Sequence, residues 1–398
     1  MDLLGKLYEM TAIQPLLDSP GSLLMLFIGF GLLYLGIKKE FEPLLLVPIA
    51  FGLLLANFPG GGMDIVDAET AESMGLLELT KKHGIMNLLY YSLLKTGLLP
   101  PLIFMGVGAL TDFGPMLRNL RLAFFGAAAQ IGIFTVLFGA LAVGFDLKEA
   151  ASLGIIGGAD GPTAIFTTLK LAPHLLGPIA IAAYSYMALV PVIIPFVVRF
   201  TTGEKELKIN MKEQDKLFPN KREIKNMKSV KILFPIVLGT LVAILVPSSV
   251  PLVGMLLFGN LLKEAGNLTE RLHKAASGSI MNISTIFLGL CVGATMTANT
   301  FLNSQTLLII LGGFLAFCIS VAGGIFAVKT YNLFAAKKIN PLIGATGLSA
   351  VPMASRVANE IALKHDPGNH LLQYAMASNI SGVIGSAVAA GVLISFLA

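Results

Sequence analysis

Apolar residues come in long blocks separated by short polar stretches, and most blocks are close to the roughly 17–25 residues a helix needs to cross a bilayer. The pattern predicts about ten transmembrane helices, over 21–37, 41–57, 86–111, 122–144, 175–198, 230–247, 250–266, 277–297, 304–329 and 371–397. The 250–266 block is the weakest, because Gly254, Gly259 and Asn260 interrupt it and Lys263 ends it early. Two further blocks, 149–171 and 339–362, are broken midway by Gly, Pro and polar residues. They are expected to be re-entrant hairpins rather than spans. Non-helical backbone survives at membrane depth only where protein or a water-filled cavity satisfies its polar groups.

Charge orients these elements. With the 199–231 loop in the cytoplasm, Lys38/Lys39, Arg118/Arg121, Lys263/Arg271/Lys274, Lys337/Lys338 and Lys364 also fall inside, as the positive-inside rule asks. Only Lys81/Lys82 fall outside, in a loop that also carries Asp64, Asp67, Glu69, Glu72 and Glu78. Both termini then lie outside. Each half of the chain reads as four spans, a broken hairpin and one span, and the halves start from opposite sides. The expected architecture is therefore an all-α polytopic membrane protein in an inverted-topology repeat. Residues 1–200 form the first repeat with hairpin 149–171, 201–229 a basic cytoplasmic loop, and 230–398 the second repeat with hairpin 339–362.

Composition agrees. AVILMFWYC residues make up 55% of the 398 residues and only 13% are charged, against about 25% in soluble chains. The net charge of +5 equals that of residues 199–231 alone, with ten Lys/Arg and five Asp/Glu. The basicity belongs to one loop, and a nucleic-acid partner is not expected. Trp is absent, which leaves Tyr and Phe for the interfaces. Cys291 and Cys318 sit in apolar runs without C-x-x-C spacing and read as small buried hydrophobes. Residues 3–17 carry Lys6 and Glu9 without a cleavage site and read as a surface amphipathic helix, not a secretory signal.

The breaks carry the chemistry. The first reads Gly157-Gly158-Ala159-Asp160-Gly161-Pro162-Thr163 between arms 149–156 and 163–171. Arms of that length reach roughly 12–14 Å, near half the hydrocarbon core, so Asp160 falls near the midplane. A carboxylate there costs about 2.5–3.5 kcal/mol on insertion scales unless compensated. The glycines free carbonyls to face an ion, and Pro162 suits the first turn of the second arm. The plainer alternatives are a helix cap or a pair with a basic residue. The second break runs from Asn340 through Gly344, Thr346 and Ser349 to Pro352 and Arg356, and offers amide, hydroxyl and carbonyl oxygens without an acid. One carboxylate among neutral oxygens suits a hard monovalent cation, Na⁺ foremost, and no transition metal. Ser and Thr could equally just satisfy helix backbone. Tyr184, Tyr186, Asn379, Ser381 and Ser386 lie in the spans that follow the hairpins. Arg356 either pairs with Glu360 one turn on or anchors a carboxylate arriving from the cytoplasm. The five His fall near segment ends without ligand spacing, and no P-loop, Rossmann glycine pattern or nucleophile elbow is present.

The run Gly157–Ala164 resembles the signature of the membrane β subunit of biotin-dependent, sodium-translocating decarboxylases. The resemblance covers essentially the whole chain, including the break after Asn340, Tyr184-Ser185-Tyr186, and Asn379 to Ser386. It implies that carboxybiotin arrives on a biotin carrier protein with a cytoplasmic carboxyltransferase α subunit, and that this chain decarboxylates it while exporting Na⁺ and taking up a proton. By that resemblance Asp160, Tyr186 and Arg356 are catalytic. Asp160, Asn340, Gly344, Ser349, Asn379 and Ser386 hold Na⁺. A small membrane γ subunit, a homo-oligomeric core and a bacterial or archaeal inner membrane are also implied. Na⁺ and H⁺ are expected to compete at Asp160, and the two hairpins to move as one body. The competing expectation from the residues alone is a secondary Na⁺-coupled carboxylate symporter or Na⁺/H⁺ antiporter. Whether oxaloacetate, glutaconyl-CoA or methylmalonyl-CoA is the ultimate substrate is written in a partner chain.

Overall fold

A computed structural model describes residues 8, 10–40, 42–218 and 226–398. The start of the expected surface helix and part of the basic loop therefore lie outside the described residues. The described chain is helical, with no strand among those residues. Its main helices are α1 (Pro20–Lys38), α2 (Pro43–Ala56), α3 (Ile85–Leu94), α4 (Leu99–Leu110), α5 (Leu120–Val143), α6 (Leu147–Gly154), α7 (Gly161–Leu171) and α8 (Leu176–Ala188). They continue as α9 (Val190–Thr201), α10 (Met227–Leu245), α11 (Val250–Glu264), α12 (Glu270–Ala294), α13 (Ser304–Phe334), α14 (Met353–His365) and α15 (Leu372–Leu397).

Six of these, α1, α5, α10, α12, α13 and α15, are long and apolar enough to cross a membrane, and two bent pairs raise the number to eight. The bends revise the sequence expectation. The 86–111 block is α3 and α4 at 66°, separated by Gly97 at φ +78 after a π-helical turn at Tyr90–Leu94. The 175–198 block is α8 and α9 at 69°. Pro191, at the start of α9, has no N–H to carry the α8 ladder onward. The 41–57 and 250–266 blocks are α2 and α11, of only 14 and 15 residues. Each reaches about 21–23 Å at 1.5 Å per residue, less than a full bilayer core.

Packing pairs interchange between the two halves. α2 lies on α12 as α11 lies on α4, α1 on α2 as α10 on α11, and α5 on α15 as α8 and α9 lie on α13. Glycines set the closest of these crossings. A Cβ at Gly52 would fall 2.3 Å from the Leu290 carbonyl oxygen, and one at Gly293 2.0 Å from that of Ile49. The counterpart crossing repeats this with Gly108 against Leu256 at 1.8 Å and Gly259 against Met105 at 1.9 Å. Two large apolar cores result, beside a small cluster of Met105, Ala109, Leu262 and Ala276. One joins the hairpins to α5, α9, α13 and α15, and the other joins α2, α3 and α12, with α8 contributing to both. The outward stripes Phe27, Phe30 and Tyr34 on α1, and Leu233, Val237, Leu241 and Ile244 on α10, remain exposed, as a lipid-facing surface allows.

The two hairpins share a spacing, Gly154-x-x-Gly157 with Pro162 and Gly344-x-x-Gly347 with Pro352, yet differ in shape. In the first, Asp146 caps α6 through the N–H groups of Lys148 (2.6 Å) and Glu149 (2.9 Å), and Glu149 returns a bond to the Asp146 N–H. α6 tightens into a 3₁₀ turn at Ile155–Gly158 before the break. In the second, the first arm is a single turn, Leu342–Ala345, rather than a half-helix. It packs on α13 at Gly324, where each glycine's Cβ would stand 2.0–2.1 Å from the other's carbonyl oxygen.

Candidate ion and substrate site

The first break turns at Ala159, a non-glycine in the left-handed region at φ +54, a conformation that costs an L-residue about 1–2 kcal/mol. The turn places Asp160 at the start of α7, 6% exposed. One carboxylate oxygen, Oδ1, accepts from the Thr163 N–H at 3.4 Å, so the residue does cap α7. The other, Oδ2, accepts from the Ser386 hydroxyl at 3.2 Å. Ser386 Oγ lies 2.7 Å from Ser349 Oγ, and the Ser349 N–H donates to the Gly158 carbonyl at 2.9 Å. The two breaks thus touch directly, and Asp160, Ser386 and Ser349 form one chain of oxygens across them. No Lys, Arg or His among the described residues pairs with Asp160.

Neighbouring glycines make this closeness possible. A Cβ at Gly158 would meet Ser386 Cβ at 2.8 Å, and one at Gly161 would enter the Tyr184 ring at 2.0 Å. Tyr184 is fully buried and its hydroxyl has no partner among the described residues. Tyr186 faces another way. Its hydroxyl donates to the Ile310 carbonyl, and its ring lies 5.9 Å from that of Phe314 on α13.

The other predicted residues fall at increasing remove. Asn379 donates to the Leu348 carbonyl of the second break and accepts from Ser355 Oγ at 3.1 Å. Ser381 donates to the Ala123 carbonyl at 2.6 Å. Gly344 is the packing contact with Gly324 described above. Asn340 sends its amide to the carbonyls of Leu207 (2.9 Å) and Ile209 (3.0 Å), and its oxygen accepts from the Leu342 N–H. No bond of that side chain reaches Asp160. Its partners belong to a strap formed by the described part of the basic loop, with helices Glu204–Leu207 and Met211–Leu217. Asp215 secures the strap by accepting from Lys337 Nζ and from Tyr374 OH, each at 2.6 Å. Arg356 is exposed and makes no ion pair with Glu360. It lines a cavity of about 170 Å³ together with Glu42, Met187 and residues 350–353, next to Ser349 of the break.

Gln130 escaped the sequence reading. It marks the irregularity within α5 and is 7% exposed. Its Nε2 lies within hydrogen-bonding distance of the carbonyls of Gly126, Gly347 and Gly382. The available signal was a lone amide in an otherwise apolar span, flanked by Gly126 and Gly132.

Fold and site together define a multi-pass helical membrane protein with one carboxylate buried where two interrupted helices meet. The chain belongs to the family described as the Na⁺-transporting oxaloacetate decarboxylase beta subunit, matched over residues 21–397. It is 51% identical over 383 residues to the methylmalonyl-CoA decarboxylase subunit beta of Propionigenium modestum, covering 94% of each chain. It is 46% identical over 422 residues to the oxaloacetate decarboxylase beta chain 2 of Salmonella typhi, covering 95% of each. Against the methylmalonyl-CoA decarboxylase subunit beta of Veillonella parvula it is 47% identical, covering 95% of this chain and 93% of that one.

Proposed function

We propose that this chain is the membrane subunit of a Na⁺-pumping decarboxylase that removes CO₂ from carboxybiotin and couples that step to Na⁺ export and proton uptake. The carrying observation is the bridge from Asp160 through Ser386 to Ser349, which joins a buried carboxylate with no basic partner among the described residues to both breaks at once. When the bond between the ureido nitrogen and the carboxyl carbon breaks, CO₂ leaves and the nitrogen takes a proton. A carboxylate that holds either Na⁺ or H⁺ ties that proton to ion movement. Arg356 beside the cavity receives the incoming carboxylate. Asp160 and Tyr186 form the proton route, the Tyr186 hydroxyl exchanging its Ile310 partner for substrate. Asn340, Gly344, Ser349, Asn379 and Ser386 complete or support the ion site, with Asn340 and Gly344 acting through the second hairpin's placement.

The two repeats are taken as 1–200 and 230–398, which the exchanged helix pairings support. Contact between the breaks supports their moving as one body. A biotin carrier protein with a carboxyltransferase α subunit, a γ subunit and a homo-oligomeric core complete the assembly. Decarboxylation of free carboxybiotin by the purified chain, with and without Na⁺ and alongside Asp160→Asn, tests this. Na⁺-dependent turnover lost in the variant is expected. Absence of turnover together with proton-driven Na⁺ uptake in vesicles would overturn it in favour of an antiporter.

A further inference from the structure

Among the described residues, Gln130 has a carbonyl oxygen with nothing to accept from. Its amide orientation is fixed by its surroundings, because three backbone carbonyls converge on Nε2, those of Gly126 at 3.1 Å, Gly347 at 3.3 Å and Gly382 at 3.4 Å. Turning the amide over would set oxygen against three oxygens. The free atom is therefore Oε1, and it is buried without a partner. An orphaned acceptor is costly in a protein interior, and this one sits inside an apolar span where no bulk water compensates it.

Its location gives that cost a purpose. Oε1 faces the first break, where a Cβ at Gly158 would lie 3.6 Å from it and 2.8 Å from Ser386 Cβ. Ser386 is the residue whose hydroxyl donates to Asp160 Oδ2. Gly385, one residue before Ser386, leaves the notch for the Gln130 side chain, since a Cβ there would stand 3.1 Å from Gln130 Cγ. The Nε2 end meanwhile grips the second hairpin at Gly347 and α15 at Gly382, so the oxygen is held by three elements. Among the described residues, Thr163 Oγ1, three residues on from Asp160, is also buried without a partner. A hard cation bound at a single carboxylate needs several such neutral oxygens.

We propose that Gln130 Oε1 is a ligand of the Na⁺ carried at Asp160, supplied from α5, and that it helps select Na⁺ over smaller or larger alkali ions. This deepens the Na⁺-site reading above and rests on it. The test uses the purified full chain, with two readouts: the Na⁺ concentration for half-maximal decarboxylation of free carboxybiotin, and the Na⁺-induced rise in unfolding temperature in detergent. Gln130→Leu removes the oxygen and raises the Na⁺ requirement by about tenfold, the loss of roughly one ligand contact, while flattening the preference for Na⁺ over Li⁺. Gln130→Met fills the same space without the oxygen and raises the Na⁺ requirement to a similar extent. A merely structural glutamine would lower the unfolding temperature of both variants while leaving the Na⁺-induced rise and the preference for Na⁺ over Li⁺ unchanged. A folded variant of either kind with an unchanged Na⁺ response overturns the proposal. If Gln130→Leu does not fold, Gln130→Met decides alone, and an unchanged requirement overturns it. Asp160→Asn separates the two levels. A Na⁺-induced stabilisation that survives in Asp160→Asn refutes the underlying site, whereas its loss there with unmoved Gln130 variants refutes only the ligand.

Discussion

The two broken hairpins share a glycine and proline spacing but divide the work. At the register of Asp160 the second hairpin has Ala350, and at that of Ala159 it has Ser349. The first break is strained at Ala159 and presents a carboxylate. The second is fixed from outside, by Gly324 beneath it and by the strap that Asn340 and Asp215 hold against it. One half of the chain carries the charge and the other the packing around it. Similar helix pairings thus surround an asymmetric site, in keeping with the cost of each ionisable group inside a membrane.

The largest expected effect breaks the first side of this comparison. Asp160→Asn lowers Na⁺-dependent carboxybiotin turnover by about 10²–10³-fold or more, the loss that follows removal of one preorganised polar group from an active site. Adding Ala350→Asp to that variant does not restore it, because residue 350 lines the cavity that holds Arg356 and Glu42. Steady-state rates on the two variants check both statements. Next comes Gly344→Ala, whose methyl would press on the Gly324 carbonyl and cost about 1–3 kcal/mol of stability by overpacking. Thermal unfolding in detergent shows it, and the Na⁺ requirement of surviving protein rises as the displaced hairpin carries Ser349 away from Ser386. Ser386→Ala leaves Oδ2 without its donor and raises the Na⁺ requirement several-fold, by about 1 kcal/mol of lost hydrogen bonding, as titration of turnover with Na⁺ reports.

The smallest effect lies at the rim. Burial pushes the Asp112 carboxyl up, but the Lys231 ammonium and the Gly114 N–H outweigh that and hold it below the usual carboxylate range. A depressed folded-state value means the pair stabilises fully above the ordinary range and loses its contribution as pH falls through the depressed one. Asp112→Asn therefore narrows the gap between unfolding temperatures at neutral and acid pH by a small amount, since Asp112 is 44% exposed and the pair is screened.

Much of this was legible in the sequence. The long apolar blocks, the two interruptions and the acid at Asp160 follow from composition along the chain, because a bilayer permits few alternatives. Local pattern could not give the bends at Gly97 and Pro191, since hydropathy counts residues and not directions. The resemblance implies Asn340 as a Na⁺ ligand, and local pattern could not show that its amide bonds the carbonyls of Leu207 and Ile209, far away in sequence. Gln130 was missed for the same reason. Its meaning depends on three carbonyls from three elements that only folding brings together.

The most direct test of the central claim, that Asp160 takes either Na⁺ or a proton where the hairpins touch, is the half-saturating Na⁺ concentration for carboxybiotin decarboxylation measured across pH. Competition predicts that the Na⁺ requirement climbs as the medium is acidified while the rate at saturating Na⁺ is preserved. A requirement independent of pH across the active range would contradict it.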